Sequence, residues 1–167
     1  DASAELVLAA AGQDPFPEGI VFQTPDLGPD GRLALTLRRR QRMVALLDPD
    51  GTLHPAGGGC QLGWIPGGGG LLCVDDGARG GNAIHRQDPG TGRRNLLFDA
   101  LGTHRHEYFP RMARDGRWLV YAASAGGHEH DTADYEIFLW QVGAPMDAAH
   151  RLTAHTGNDC WPDLWIP

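Results

Sequence analysis

The feature that most constrains the fold is a short internal repeat that contains a turn. Residues 25–33 read Pro-Asp-Leu-Gly-Pro-Asp-Gly-Arg-Leu, and residues 110–118 read Pro-Arg-Met-Ala-Arg-Asp-Gly-Arg-Trp. A degenerate copy covers 63–71, and a copy that stops before its turn covers 159–167. The aligned apolar residues recur at intervals of 37, 48 and 52 residues, at Leu27, Trp64, Met112 and Leu164. A period of about 40 to 50 residues that holds four strands is typical of a propeller blade.

Short apolar runs separated by turn residues fill the chain between these copies. Helical periodicity is nearly absent, and Asp-Gly pairs beginning at Asp30, Asp50, Asp76 and Asp115 supply the positive φ of tight turns. We therefore predict an all-β fold, a β-propeller of four-stranded antiparallel blades. The predicted blades span 24–59, 60–103 and 104–156, with a partial fourth at 157–167. Residues 1–23 form an N-terminal segment, in which residues 5–9 are a candidate outer strand of a split blade, and the ring is expected to be incomplete.

Residues 108–167 resemble the TolB-like, or PD40, repeats of WD40-like β-propellers. The family pattern is Pro-x-Trp/Phe-Ser-Pro-Asp-Gly-Lys/Arg, a strand with Ile-Tyr/Phe, and then Arg-Leu-Thr. Here the corresponding segments are 110–121, 134–138 and 151–153, with Ala113 and Arg114 where the family prefers Ser-Pro. The resemblance implies the propeller fold, and it implies export to the bacterial periplasm or cell surface. It indicates little about activity, because propellers host many functions.

Composition excludes several classes of function. The formal net charge is −7, so the chain lacks the basic footprint of a nucleic-acid-binding protein. It has no lysine, and neither Ser3 nor Ser124 lies in a Gly-x-Ser-x-Gly motif, which argues against a serine hydrolase. No apolar run reaches the roughly 18 residues of a membrane span. No residue is singled out as catalytic, and the chain is not expected to be an enzyme by itself.

Histidines and carboxylates concentrate in two segments of the third predicted blade. In a propeller, the start of an inner strand and the loop between the second and third strands lie on the same face. Imidazoles beside carboxylates suit Zn²⁺, and a Ca²⁺ site with Asp131, Asp134 and Glu136 is a further alternative. The candidate metal ligands are His104, His106, His128, His130, Asp131 and Asp134. The competing interpretation is that these side chains only cap turns and bond to neighbouring backbone.

The same face is predicted to carry a basic run and further polar residues. An anionic partner such as a phosphate or an acidic protein would suit the arginines, whereas a solvated hairpin is the simpler alternative. The candidate binding face comprises Arg38, Arg39, Arg40, Glu107, His155 and Asp159.

These observations predict a non-catalytic binding or assembly module that belongs to a larger protein or complex. A protein partner or a second copy is expected to cover the open edge of the propeller. The alternatives are a metal-binding protein or metal-dependent enzyme that uses the histidines, and an accessory subunit of an enzyme complex. No cofactor is expected apart from a divalent metal.

Overall fold

The chain forms the short strands that the sequence predicts, and each strand ends at a turn or loop. The computed structural model describes Phe16 and residues 18–166. Within this part of the chain there is no α-helix, and two 3-10 turns at Pro66–Gly68 and Met146–Ala148 accompany the strands. The all-β prediction is confirmed. The candidate strand at residues 5–9 lies outside the described residues.

Twelve strands of the described residues form three antiparallel sets of four, here called blades one, two and three. Blade one is a separate sheet in the order β1-β2-β3-β4. Blades two and three are joined by a parallel pairing of Asn82 with His106, which makes them one eight-stranded sheet. The strands are β1 Val21–Leu27, β2 Leu33–Arg38, β3 Arg42–Leu47 and β4 Leu53–Gly57; β5 Cys60–Trp64, β6 Leu71–Asp76, β7 Asn82–Gln87 and β8 Arg94–Phe98; β9 His106–Met112, β10 Trp118–Ser124, β11 Tyr135–Gln141 and β12 His150–Arg151.

The Asp-Gly-Arg turns of blades one and three have the same construction. In each, the aspartate accepts hydrogen bonds from the backbone N–H and the guanidinium of the arginine two residues later. Gly31 and Gly116 adopt φ of 82° and 70°. Gly77 is different, because the Asp76-Gly77 pair stands at the start of its turn, and Gly80, at the position equivalent to Gly31, takes the positive φ of 77° instead. The prediction of a positive φ at Gly77 was therefore wrong, and the positive φ occurs three residues later, at Gly80.

Apolar side chains between adjacent blades make up much of the core. Blades one and two share a buried cluster that includes Val44 and Leu71, and blades two and three share one that includes Phe98 and Trp140. A third cluster, around Tyr108 and Tyr135, lies where the inner strands converge. Stacked blades of this kind bury apolar surface that a single four-stranded sheet would expose.

Candidate functional site

The inner strands share an unusual backbone conformation at one repeat position. Four non-glycine residues of the described chain have positive φ, between 46° and 60°. Each lies three residues before the aligned apolar residue of its repeat, and they are Thr24, Gln61, Phe109 and Trp161. Register shifts in β1, β5 and β9 occur at the first three, which marks these positions as β-bulges. Trp161 has the same φ without a pairing strand, which indicates that residues 157–166 follow the course of a fourth inner strand.

These four positions meet around a cavity of about 150 Å³, here called the inner groove. Gln61 Oε1 accepts a hydrogen bond from the backbone N–H of Phe109. The Phe109 ring packs on the indole of Trp161, with 4.2 Å between ring centroids. The hydroxyls of Thr24 and Thr36 are 2.8 Å apart. Side chains from all four inner segments therefore line one concave site.

One carboxylate connects the inner strands of the three blades. Asp26 Oδ2 accepts a hydrogen bond from the Trp64 backbone N–H at 2.6 Å and lies 3.8 Å from the Arg111 guanidinium. Gly63 stands between them, and a Cβ there would lie 3.2 Å from Asp26 Oδ2. The absence of a side chain at Gly63 thus lets an aspartate from blade one approach an arginine from blade three.

A second concavity of about 330 Å³, here called the hairpin pocket, lies between the β2–β3 hairpin and the β10–β11 loop. The structure brings two groups of sequence-predicted residues together here. Arg38 from the basic run shares the pocket with His128, His130 and Asp131 from the loop. Arg42, Gln61 and Trp161 also line it. Arg39 and Arg40 are exposed at the hairpin tip.

Two of the candidate histidines are close neighbours. The rings of His106 and His128 have centroids 6.4 Å apart, and His106 Nδ1 is 3.1 Å from Asn82 Oδ1. Burial lowers the pKa of His106, and the charges of His128 and Arg105 lower it further. His106 is therefore biased toward the neutral form, which is the form that binds metals.

His130 is held among aromatic rings. Its ring makes edge contacts with Tyr108 at 4.6 Å and Phe109 at 4.8 Å between centroids. Its backbone carbonyl accepts a hydrogen bond from Asn158 Nδ2. Burial lowers the pKa of His130, and the positive charge of Arg42 lowers it further. This ring packs against the residues that shape the inner groove.

His104 is separated from the other candidate ligands. Side chains two residues apart point to the same side only within a strand. His104 precedes β9, which begins at His106, so the two imidazoles need not lie on the same side. Its ring packs against Phe138 and lines a different concavity, with Phe98 and Tyr121. Asp134 is exposed in the β10–β11 loop. Across the described ranges, no group of three or more His, Cys, Asp or Glu side chains is arranged to hold a metal ion. The divalent metal, Zn²⁺ or Ca²⁺, stays a prediction.

The remaining candidates for the binding face have different environments. Glu107 is fully buried and accepts a hydrogen bond from Ala100 N–H, so it does not present its carboxylate to a partner. His155 Nε2 lies 2.9 Å from Asp159 Oδ2, and His155 Nδ1 accepts a hydrogen bond from Gly157 N–H. His155 and Asp159 are thus a local pair that shapes the loop before Trp161.

Sequence reasoning did not select Thr24, Gln61 or Phe109 as site residues. The available signal was the repeat itself, since all three lie at the same offset from the aligned apolar residue. Nothing in their side-chain types distinguishes them, and the bulge is visible only in the backbone.

No family model matches the sequence, and no curated protein sequence matches it either. Several solved structures are similar to this chain in fold. TolB from Acinetobacter baumannii is similar over 86% of this chain, with a TM-score of 0.65 and 16% identity. A structure from a study of two prolyl endopeptidases is similar over 94% of this chain, with a TM-score of 0.62 and 16% identity. The resemblance to TolB-like β-propellers is confirmed at the level of the fold.

The chain spans only part of each of these structures. The match covers 35% of the TolB chain and 25% of the prolyl endopeptidase chain. Among the described residues, no helix has the length and apolar character to cross a membrane.

Proposed function

We propose that this chain is a non-catalytic β-propeller module for binding and assembly, and that its partner surface is the segment 157–166. The partner supplies a strand that pairs with this segment, in the way that β2, β6 and β10 pair with the inner strands of blades one to three. Either a separate subunit or another part of a longer polypeptide that contains these blades would provide this strand.

The observation that carries this proposal is the unpaired fourth inner segment. Trp161 has the φ of the other inner bulges, and Asp159 N–H donates to the Tyr135 carbonyl at the start of β11. This hydrogen bond joins the segment to the first residue of the third strand of blade three, just as Arg105, before β9, is joined to Asn82, the first residue of the third strand of blade two. Within the described residues no strand pairs with the segment. Unpaired strand edges are usually covered in natural proteins.

Exposed apolar side chains on the same segment support the proposal. Trp165 is 82% exposed and Trp161 is 63% exposed, although tryptophan is a residue that proteins usually bury at least in part. Large exposed aromatic side chains mark interaction surfaces and are enriched in the energetically important centre of interfaces. The resemblance to TolB supports a site of action in the bacterial periplasm or at the cell surface.

Light scattering after size-exclusion chromatography tests the proposal. We expect the chain to have a mass above its own 18.0 kDa, either as a second copy or with a co-purified protein. The interface should bury at least about 1,000 Å². Trp165→Asp should return the chain to a monomer, whereas Leu96→Asp on the outer strand β8 should not. A stable, folded wild-type monomer would contradict the proposal.

A metal-binding role is the second candidate, and the proximity of His106 and His128 favours it. Elemental analysis of the purified chain after dialysis against Zn²⁺ or Ca²⁺ tests this role. We expect bound metal near one equivalent if the role is correct, and a clear decrease in the His106→Gln variant. The matched control is His54→Gln, because His54 lies in β4 and contacts Asp48. Absence of bound metal in the dialysed chain would contradict the metal-binding role.

A further inference from the structure

Two arginines from neighbouring strands line the hairpin pocket. Arg38 ends β2, Arg42 begins β3, and the two are direct cross-strand partners. Side chains at such positions extend from the same face of the sheet with Cβ atoms roughly 5 Å apart, and like charges there are destabilising. No carboxylate of the described residues lies within 4 Å of either guanidinium. An anion between the two arginines would relieve this repulsion.

Gln61 supplies an uncommitted hydrogen-bond donor at the same pocket. Its side chain is buried, with 8% of the residue exposed, and Nε2 has no acceptor among the described residues. The hydrogen bond from Phe109 N–H to Oε1 determines the orientation of the amide, so that Nε2 is the atom left over. Buried donors without an acceptor are rare and costly. A bound oxygen acceptor would satisfy Nε2.

We propose that the hairpin pocket binds a carboxylate group between Arg38 and Arg42, with Gln61 as a further donor. Arginine pairs with carboxylates through two parallel N–H···O bonds, which makes it suited to this role. Glu129 and Asp131 also line the pocket, and their negative charges oppose a doubly charged phosphate more strongly than a singly charged carboxylate. This inference goes beyond the assembly role and does not depend on it.

The rest of the pocket indicates what carries the carboxylate. The exposed indole of Trp161 forms one side, and the volume of about 330 Å³ is at the lower end of the range for small-molecule sites. An apolar or aromatic body of one or two residues fits this size. The ligand is therefore an organic carboxylate with an apolar group, supplied by the C-terminus of a peptide or by a free organic acid.

Calorimetric titration of the chain with matched probes tests the proposal. N-acetylphenylalanine should bind saturably, and its neutral amide should bind at least about tenfold more weakly, because the charge-assisted hydrogen bonds are lost. Inorganic phosphate should bind more weakly than the acid. Absence of binding by the acid, equal binding of the amide, or tighter binding of phosphate would overturn the proposal.

Variants assign the binding to the pocket. Arg38→Gln and Arg42→Gln should each weaken binding of N-acetylphenylalanine by about tenfold. Arg40→Gln, at the tip of the same hairpin, is the control and should leave the affinity unchanged. Circular dichroism identifies any variant that fails to fold, and both Arg38 and Arg42 are exposed, so neither substitution removes a buried side chain. An equal loss in all three variants would overturn the assignment, because it would indicate a general effect of charge.

A further pair of probes distinguishes the two sources of the carboxylate. If the natural ligand is a peptide C-terminus, N-acetylglycylphenylalanine should bind at least as tightly as N-acetylphenylalanine, with the same dependence on Arg38. If it is a free acid, 3-phenylpropionate should bind more tightly than either peptide. Binding of none of the three probes would overturn the proposal. These results are independent of the mass measured by light scattering, so the two proposals fail separately.

Discussion

Glu107 is a charged residue type in a fully buried position near the start of β9. Its Oε1 accepts a hydrogen bond from Ala100 N–H, whereas Oε2 has no partner among the described residues. Burial raises the pKa of Glu107 to about 7, and the nearby Asp99 carboxylate adds to the increase. Glu107 is therefore an ionisable group whose protonation is coupled to folding.

We expect the free energy of unfolding to fall as the pH rises from about 4.5 to 7. Glu107 has a pKa near 4.5 in the unfolded chain and about 7 in the folded chain, so below pH 4.5 it is protonated in both states. Between pH 4.5 and pH 7 only the folded chain keeps the proton, and rising pH therefore favours unfolding. The loss should reach about 3 kcal/mol. Urea unfolding at pH 5 and pH 8 measures it. Glu107→Gln should reduce this pH dependence, and Glu129→Gln, which is exposed, should preserve it. An unchanged pH dependence in Glu107→Gln would contradict the assignment.

Gly116 has a backbone conformation that a β-branched residue adopts only with strain. Its φ is 70°, and a Cβ would meet no atom within 4 Å, so any cost comes from the backbone. Gly116→Val should lower the free energy of unfolding by about 1 kcal/mol or more. Gly102→Val is the control, since Gly102 also has open space but lacks a positive φ. Equal melting temperatures for the two variants would argue against strain in this turn.

At the scale of strands, the edge of blade three depends on one buried carboxylate. Glu136 in β11 accepts hydrogen bonds from Arg151 Nη2 and Thr153 Oγ1, both at 2.6 Å, and from His155 N–H at 3.1 Å. Arg151 and Thr153 belong to the Arg-Leu-Thr segment of the family pattern. That segment therefore anchors the short strand β12 and the chain after it, through Glu136.

Removal of this carboxylate should detach the edge of blade three. We expect Glu136→Ala to lower the free energy of unfolding by about 1 to 2 kcal/mol, because it leaves Arg151 Nη2 and the His155 N–H without their acceptor, while solvent still reaches the guanidinium. Hydrogen exchange should show faster exchange at Leu152, whose N–H donates to the Ile137 carbonyl. Asp147→Ala, at an exposed position in the preceding 3-10 turn, is the control. Protection of Leu152 at the wild-type level in Glu136→Ala would contradict this role.

At the scale of the whole molecule, the three blades should unfold together. Buried apolar clusters span the boundary between blades one and two and the boundary between blades two and three, so unfolding of one blade would expose apolar surface of its neighbour. Thermal unfolding followed by far-UV and near-UV circular dichroism should therefore give coincident transitions. Leu71→Ala, in the cluster shared with blade one, should shift both transitions equally. A variant trace with two separate steps would show that blades one and three unfold independently.

Local residue chemistry was sufficient to predict the strands and most of their turns. Asp-Gly-Arg at residues 30–32 and 115–117 specifies a tight turn through local chemistry, because glycine accepts positive φ and aspartate bonds to its own loop. Apolar runs on both sides then pair as strands. These are short-range effects, and they can be recognised in a repeat even at 16% identity to known structures.

Which polar residues meet and which are buried depends on contacts between distant parts of the chain. Arg38 and His128 come together because the loops of blades one and three converge, and no spacing in the sequence encodes that distance. Glu107 lies buried and His104 lies outside β9, although their residue types suggested exposure and a shared face. The bulge at Gln61 moves its amide to the inner groove, where Phe109 N–H becomes its partner. Such contacts depend on packing between blades, which residue type and periodicity do not specify.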